Sequence, residues 1–135
     1  MSMATFHLQI VTPDRKIFDG PAEKIILRTV AGDVCILARH IDYAVPLGIG
    51  EARVTDGEGN TRTAACNGGL LSVSNNEVRV MAITFEWQDE IDLARAKEAE
   101  ERAAEQLKSL QKEDVDFAIA EAKLKRALAR IQAKG

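Results

Sequence analysis

The sequence predicts an α+β protein, an amino-terminal antiparallel β-sandwich followed by a carboxy-terminal antiparallel α-helical hairpin. Eight of the nine glycines and all three prolines fall within residues 1–69, and neither residue occurs from Leu70 to Lys134. Because glycine and proline punctuate short elements and break long helices, two architectures share the chain. Apolar residues alternate with a period of two in the first part and recur at helical spacing in the second. The division is placed between a sandwich over 1–87 and a hairpin over 88–135.

Phe6, Leu8 and Ile10 alternate with His7, Gln9 and Val11, the pattern of a strand with one packed face. The run Lys24–Val30 is rich in β-branched residues and predicts another strand. Segments 52–55 and 61–64 flank Asp56-Gly57-Glu58-Gly59-Asn60 and predict a hairpin, and a second runs from 71–73 through Ser74-Asn75-Asn76 into 78–83. Gly48-Ile49-Gly50 and Gly57-Glu58-Gly59 are read as turn glycines, with no phosphate-loop pattern around them. Many short strands separated by turn signals favour a sandwich.

Ala96, Ala99, Ala103, Leu107 and Leu110 lie on one helical face, and Phe117, Ala120, Leu124, Ala127 or Leu128, and Ile131 repeat the pattern. The polar stretch 109–114 predicts the turn, with Asp114 as cap of the second helix. So short a connection makes the helices antiparallel. Asp89, Glu90 and Asp92 sit at the start of the first helix, and Lys123, Lys125, Arg126, Arg130 and Lys134 toward the end of the second, both matching the helix dipole. Half the seam is alanine, which buries far less than leucine at about 0.8 kcal/mol per methylene. A hairpin held by so little is one that a partner or ligand can displace.

Composition excludes several classes. The 135 residues carry a formal net charge of −3, which argues for no nucleic-acid partner, and no apolar run approaches the roughly 18 to 20 residues that cross a bilayer, so no direct membrane insertion is expected. The two cysteines, Cys35 and Cys66, form no CxxC pair, and neither they nor His7 and His40 have a metal-ligand or nucleophile spacing. The amino terminus lacks the pattern of a secretory signal, so the expected location is cytoplasmic, with any membrane contact made through partners.

Particular words spread over the chain resemble the epsilon family of F-type ATP synthases. They are Phe6-His7-Leu8-Gln9-Ile10-Val11-Thr12-Pro13-Asp14-Arg15, Phe18-Asp19-Gly20, the stretch Thr29 to His40, Asn67-Gly68-Gly69-Leu70-Leu71-Ser72-Val73, Ile91-Asp92-Leu93-Ala94-Arg95-Ala96, and Arg126-Ala127-Leu128-Ala129-Arg130-Ile131. Cys35 and Asp42 depart from the family pattern, which usually has glycine and often proline there. The resemblance implies a non-catalytic rotor subunit of the proton-translocating synthase, peripheral on the cytoplasmic face of the bacterial inner membrane. Its sandwich would couple the gamma subunit to the ring of membrane-embedded proton-carrying subunits. Its hairpin would inhibit ATP hydrolysis through the alpha and beta catalytic subunits.

The resemblance also assigns residues. Asp33, Arg39 and His40 belong to a loop facing the membrane ring. Glu86, Asp92, Arg95, Arg126 and Arg130 match positions that in some members bind ATP as a regulatory ligand; no cofactor is required otherwise. Lys123, Arg126 and Arg130 would meet acidic loops of the catalytic subunits. Arg126 and Arg130 are neighbours at i and i+4, and guanidinium forks suit phosphate, while Asp92 can orient Arg95 or pair with it across one turn. The alternative is a free-standing β-sandwich adaptor with a helical protein-binding hairpin.

Overall fold

The computed structural model describes residues 4–111 and 114–134. Six strands come first: β1 (Phe6–Val11), β2 (Lys16–Thr29), β3 (Gly32–Leu37), β4 (Tyr43–Asp56), β5 (Thr61–Ser74) and β6 (Glu77–Trp87). A single 3-10 turn (Gln88–Glu90) leads into helices α1 (Leu93–Ser109) and α2 (Val115–Lys134). The pairing order β1-β6-β5-β4-β2-β3, with β1 also paired to β2, closes five strands into a flattened barrel and leaves β3 on the flank of β2. Closure removes most of the free edges that would otherwise recruit other strands. All pairs are antiparallel except β1 with β6.

The alternation read for residues 6–11 is the burial pattern of β1, whose Phe6, Leu8 and Ile10 enter the core. The core is built from the inward-facing side chains of the closed sheet and of β3; Leu8, Ile10, Ile25, Leu27, Ile36, Val54, Leu71, Val78 and Val80 are its largest fully buried side chains. The hairpin read around residues 56–60 joins β4 to β5. Asp56 Oδ1 accepts from the amides of Glu58 and Asn60 at 2.9 and 3.0 Å, and Gly59 takes φ +87°. Asn75 and Asn76, at φ 51° and 61°, make the left-handed two-residue turn between β5 and β6.

Three readings change. Gly48-Ile49-Gly50 is no turn: it lies inside β4, where the two glycines leave room for the stem of Arg28. A Cβ on Gly50 would stand 2.8 Å from Arg28 Cβ. The strands are longer than expected, β2, β4 and β5 having 14 residues each, because they bend around the barrel instead of ending at the glycines and prolines. Residues 32–37, read as part of a docking loop, form β3, paired residue by residue with β2.

In the hairpin, Ala96 and Ala103 of α1 and Ala120 and Ala127 of α2 are buried at predicted seam positions. Ala127, not Leu128, fills the alternative left open: Leu128 is 44% exposed. Ala129 and Ala133 add a second buried row, and α2 packs on β4 and β5 as well as on α1. Asp92 caps α1, its carboxylate accepting from the Arg95 amide at 3.1 Å. Asp114 precedes α2, but its carboxylate accepts from the Gln111 amide at 3.2 Å, and its carbonyl accepts from the Phe117 amide. Of the predicted turn, Lys112 and Glu113 lie outside the described residues.

Candidate functional site

Helix α2 is fastened to the barrel near its carboxyl end. Arg130 Nε donates to Glu86 Oε1 at 2.6 Å, and both side chains are about one-third exposed (29% and 31%). One turn later Lys134 and Gln88 exchange bonds: Lys134 Nζ donates to the Gln88 carbonyl at 3.1 Å and Gln88 Nε2 to the Lys134 carbonyl at 3.0 Å. Ala133 is buried against Ala65 and Ile91. These few polar contacts and an alanine row are what keep the helix down.

Beside the Glu86–Arg130 pair, a cleft of about 420 Å³ opens between α1 and the barrel. Glu86, Glu90, Asp92, Arg95, Arg102 and Arg130 line it, with Ala96 and Ala99 at its floor. Among the described residues, neither Arg95 nor Arg102 has a carboxylate within ion-pair distance. Unpaired guanidinium groups in a concave site are suited to a polyanion such as a phosphate chain, which they bind through parallel N–H···O bonds. The flanking carboxylates can accept from an amino or hydroxyl group.

Four of the five residues assigned by resemblance, Glu86, Asp92, Arg95 and Arg130, therefore meet at one cleft. Arg126 does not line it. It borders instead a void of about 10 Å³ under α2, on which Glu86 and Arg130 also open, together with Ile49, Cys66, Thr84 and Ala129. Asp92 bonds the backbone of Arg95, not its guanidinium, so the predicted ion pair between them is replaced by a helix cap. Arg102 and Glu90 escaped the sequence reading. Arg102 is seven residues after Arg95 and so falls on the same helical face, a signal that spacing alone contained.

The second group separates. Asp33 is not in a loop; it stands on β3, and its carboxylate accepts from Arg28 Nε across the β2–β3 pair. That contact raises the Arg28 pKa further above its ordinary value. Arg39 and His40 follow the far end of β3, about 13 Å along the strand from Asp33 at ~3.3 Å per residue. Arg39 takes φ 63°, and its amide donates to Asn76 Oδ1 at 2.6 Å. His40 Nδ1 lies 2.7 Å from the Ile41 carbonyl, and its ring packs edge-on against Tyr43 at 5.8 Å. Asp42 Oδ1 accepts from the Asn75 amide, so the 38–42 loop is tied to the β5–β6 turn. Ile41 at its tip is 76% exposed.

In the third group, Lys123 projects into solvent, while Arg126 is half-buried and Arg130 is engaged by Glu86. Of these three, Lys123 is the one whose side chain is exposed. Cys66 is buried, which pushes its thiol up to about 12, whereas Cys35 is exposed on β3. No helix among the described residues is long and apolar enough to cross a membrane.

Comparison with known proteins covers nearly the whole chain. Residues 5–88 match the family described as "ATP synthase, Delta/Epsilon chain, beta-sandwich domain", and residues 89–135 match "ATP synthase, Delta/Epsilon chain, long alpha-helix domain". The chain is 36% identical to the ATP synthase epsilon chain of Halalkalibacterium halodurans, over 98% of its own length and 99% of that protein's. It is 40% identical to the one from Caldicellulosiruptor bescii, over 96% and 93% respectively. In fold it resembles a chain of the Euglena gracilis mitochondrial ATP synthase, seen by cryo-EM with OSCP, F1 and c-ring, at a TM-score of 0.83 and 23% identity. That match spans 98% of this chain and 82% of the other.

Proposed function

The chain belongs to the ATP synthase delta/epsilon family, and from that premise we propose that it is a non-catalytic central-stalk subunit whose docked hairpin is one position of a brake. The barrel carries torque between gamma and the membrane ring, on the cytoplasmic face of the bacterial inner membrane. The hairpin, once released, reaches toward the alpha and beta catalytic subunits and blocks hydrolysis. The observation that carries the reading is how α2 is held: an alanine row, one ion pair about one-third exposed and the reciprocal Gln88–Lys134 bonds. A partly exposed ion pair contributes on the order of 1 kcal/mol. An interface that weak is reversible by a partner offering a few kcal/mol of differential binding.

Of the residues expected to meet the catalytic subunits, Lys123 and Arg126 act only in the released state, whereas Arg130 serves both positions. Removing Arg130 frees α2 and also blunts it, so its effect on inhibition is mixed; Lys123 is the cleaner probe. On the barrel, the Arg39–His40–Ile41 tip is the ring-facing element, and Asp33 lies at the other end of β3.

Truncation after Trp87 tests the division of labour. Every large fully buried core side chain lies before residue 87, so the barrel retains its own core. In the assembled enzyme the shortened chain is expected to support coupled synthesis while inhibition of hydrolysis disappears, and a cysteine in place of His40 to cross-link to a ring subunit. Persistent inhibition would sink the brake, and an intact assembly giving no cross-link would sink the loop assignment.

The arginine-lined cleft supports ATP as a regulatory ligand that holds the hairpin down. Glu86 and Arg130 already bridge the barrel and α2 at its rim, and phosphates on Arg95, Arg102 and Arg130 would add links between the helices. Calorimetric titration of the full chain with ATP should give binding heat that Arg95→Ala abolishes. A flat titration at millimolar nucleotide removes the assignment.

A further inference from the structure

The segment between barrel and hairpin is attached to the barrel by contacts that do not involve α2. Arg15, in the connection between β1 and β2, donates through Nη2 to both carboxylate oxygens of Glu90, at 3.1 and 2.9 Å. Glu90 Oε1 also accepts from the Trp87 amide at 3.0 Å, so one carboxylate ties the 3-10 turn to itself and to the barrel rim. On the other side, the Arg62 guanidinium of β5 stands 3.9 Å over the Trp87 ring and 3.7 Å from Asp89. Each of these contacts is modest at an exposed site, and they hold the segment by acting together on several of its residues. Ile91 is 4% exposed and packs on Ala65 of β5 as well as on Ala133 of α2.

Helix α1, by contrast, packs chiefly on α2, and among the described residues none of its side chains bonds to the barrel. Between the two regimes lies Asp92, an extended residue at φ −88° and ψ 104° whose side chain starts the helix.

We propose that residues 87–91 remain fixed to the barrel when the hairpin opens, and that the hinge is Asp92, with Arg15 and Glu90 as its anchor. This rests on the reading of the hairpin as a switch and specifies where it turns. Hinge motion is absorbed at a few element-terminal residues, and Asp92 is the first position past the anchored segment. Opening there divides the cleft by charge. Glu86 and Glu90 stay on the barrel, whereas Arg95, Arg102 and Arg130 all leave with the helices. The open barrel thus presents a carboxylate pair and the open hairpin a set of freed guanidinium groups.

Spin labels test this in the full chain carrying Cys35→Ser, with Cys66 left buried. One label replaces exposed Arg79 on β6, and the second replaces either Asp89 in the connector or Ile119 in α2. Distances are measured in the isolated chain and in the assembled enzyme while hydrolysis is inhibited. The 79–119 distance is expected to shift by roughly 20–30 Å, the scale of a helix of this length, while the 79–89 distance stays narrow and unchanged. Adding Arg15→Ala and Glu90→Gln should broaden the 79–89 distribution. A 79–89 distance that shifts together with 79–119 overturns the hinge and leaves the switch standing. A 79–119 distance that never changes overturns both.

Discussion

His7 lies where β1 meets both β2 and β6, with Nε2 2.6 Å from Asp19 Oδ1 and Nδ1 3.9 Å from Glu77 Oε1. Lys16 Nζ reaches Asp19 Oδ2 at 3.2 Å. The hydrogen bond from His7, followed by that from Lys16, holds the Asp19 carboxyl below its ordinary 3.8. Asp14 is lowered in the same direction, first by the Thr12 hydroxyl, and Asp56 first by the Asn60 and Glu58 amides. A carboxyl depressed by folding binds fewer protons in the native chain than in the unfolded one. Its stabilisation is therefore complete above the unfolded value of about 3.8 and is lost as pH falls through the folded value. Urea midpoints recorded against pH should show Asp19→Asn flattening the acid limb below about pH 4; a limb as steep as the parent's would remove Asp19 from it. Such residue-level detail was only partly legible in the sequence. The Gly68-Gly69 pair was visible as a word, but not its cause: Gly69 has φ +124°, and a Cβ there would stand 2.0 Å from the Met81 carbonyl oxygen of β6. A period-two pattern says which way side chains point, not where a neighbouring backbone forbids one.

At the scale of elements, the β1 pattern, both later hairpins and the helical pair were legible because each is written in a local period or a turn dipeptide. The strand β3 was not. Its Gly-Asp-Val-Cys-Ile-Leu buries only Ile36 fully, since it flanks β2 outside the closed ring and has little alternation to display. Reading it as loop put Asp33 beside His40, when pairing with β2 keeps the two at opposite ends of the strand. The inner row of α2 was missed for a different reason. Ala129 and Ala133 face the sheet, but alanine occurs readily on either side of a helix, so its burial leaves a faint mark on the hydrophobic period. The cleft was legible through the residues assigned by resemblance; Arg102, although spaced onto the same helical face as Arg95, was not read as part of it, and neither was the displacement of Arg126. That position depends on which side of α2 meets the barrel, and the second alanine row decides it.

Over the whole molecule, stability and movement are assigned to different parts. The nine largest fully buried side chains are all in the barrel, and each is worth about 1.5–3 kcal/mol of burial. Among the described residues beyond 87, the buried set is Ile91 and six alanines, Ala96, Ala103, Ala120, Ala127, Ala129 and Ala133. Each alanine methyl contributes only about 0.8 kcal/mol on the same scale. The five ring strands are each paired on both sides, so none can leave without breaking two sets of pairs, whereas the helices are held to the barrel through α2, by its contacts at Glu86, Gln88, Ala129 and Ala133. Local opening should therefore precede global unfolding. In native-state hydrogen exchange, amides of β4, β5 and β6 are expected to exchange only through complete unfolding, with a denaturant dependence matching that of the whole chain. Amides of α1 and α2 should exchange through a smaller opening with a shallower dependence, and be at least about tenfold less protected, equivalent to roughly 1.4 kcal/mol. Equal protection and equal denaturant dependence across strands and helices would mean one cooperative unit, and a hairpin too firmly joined to the barrel to serve as its movable part.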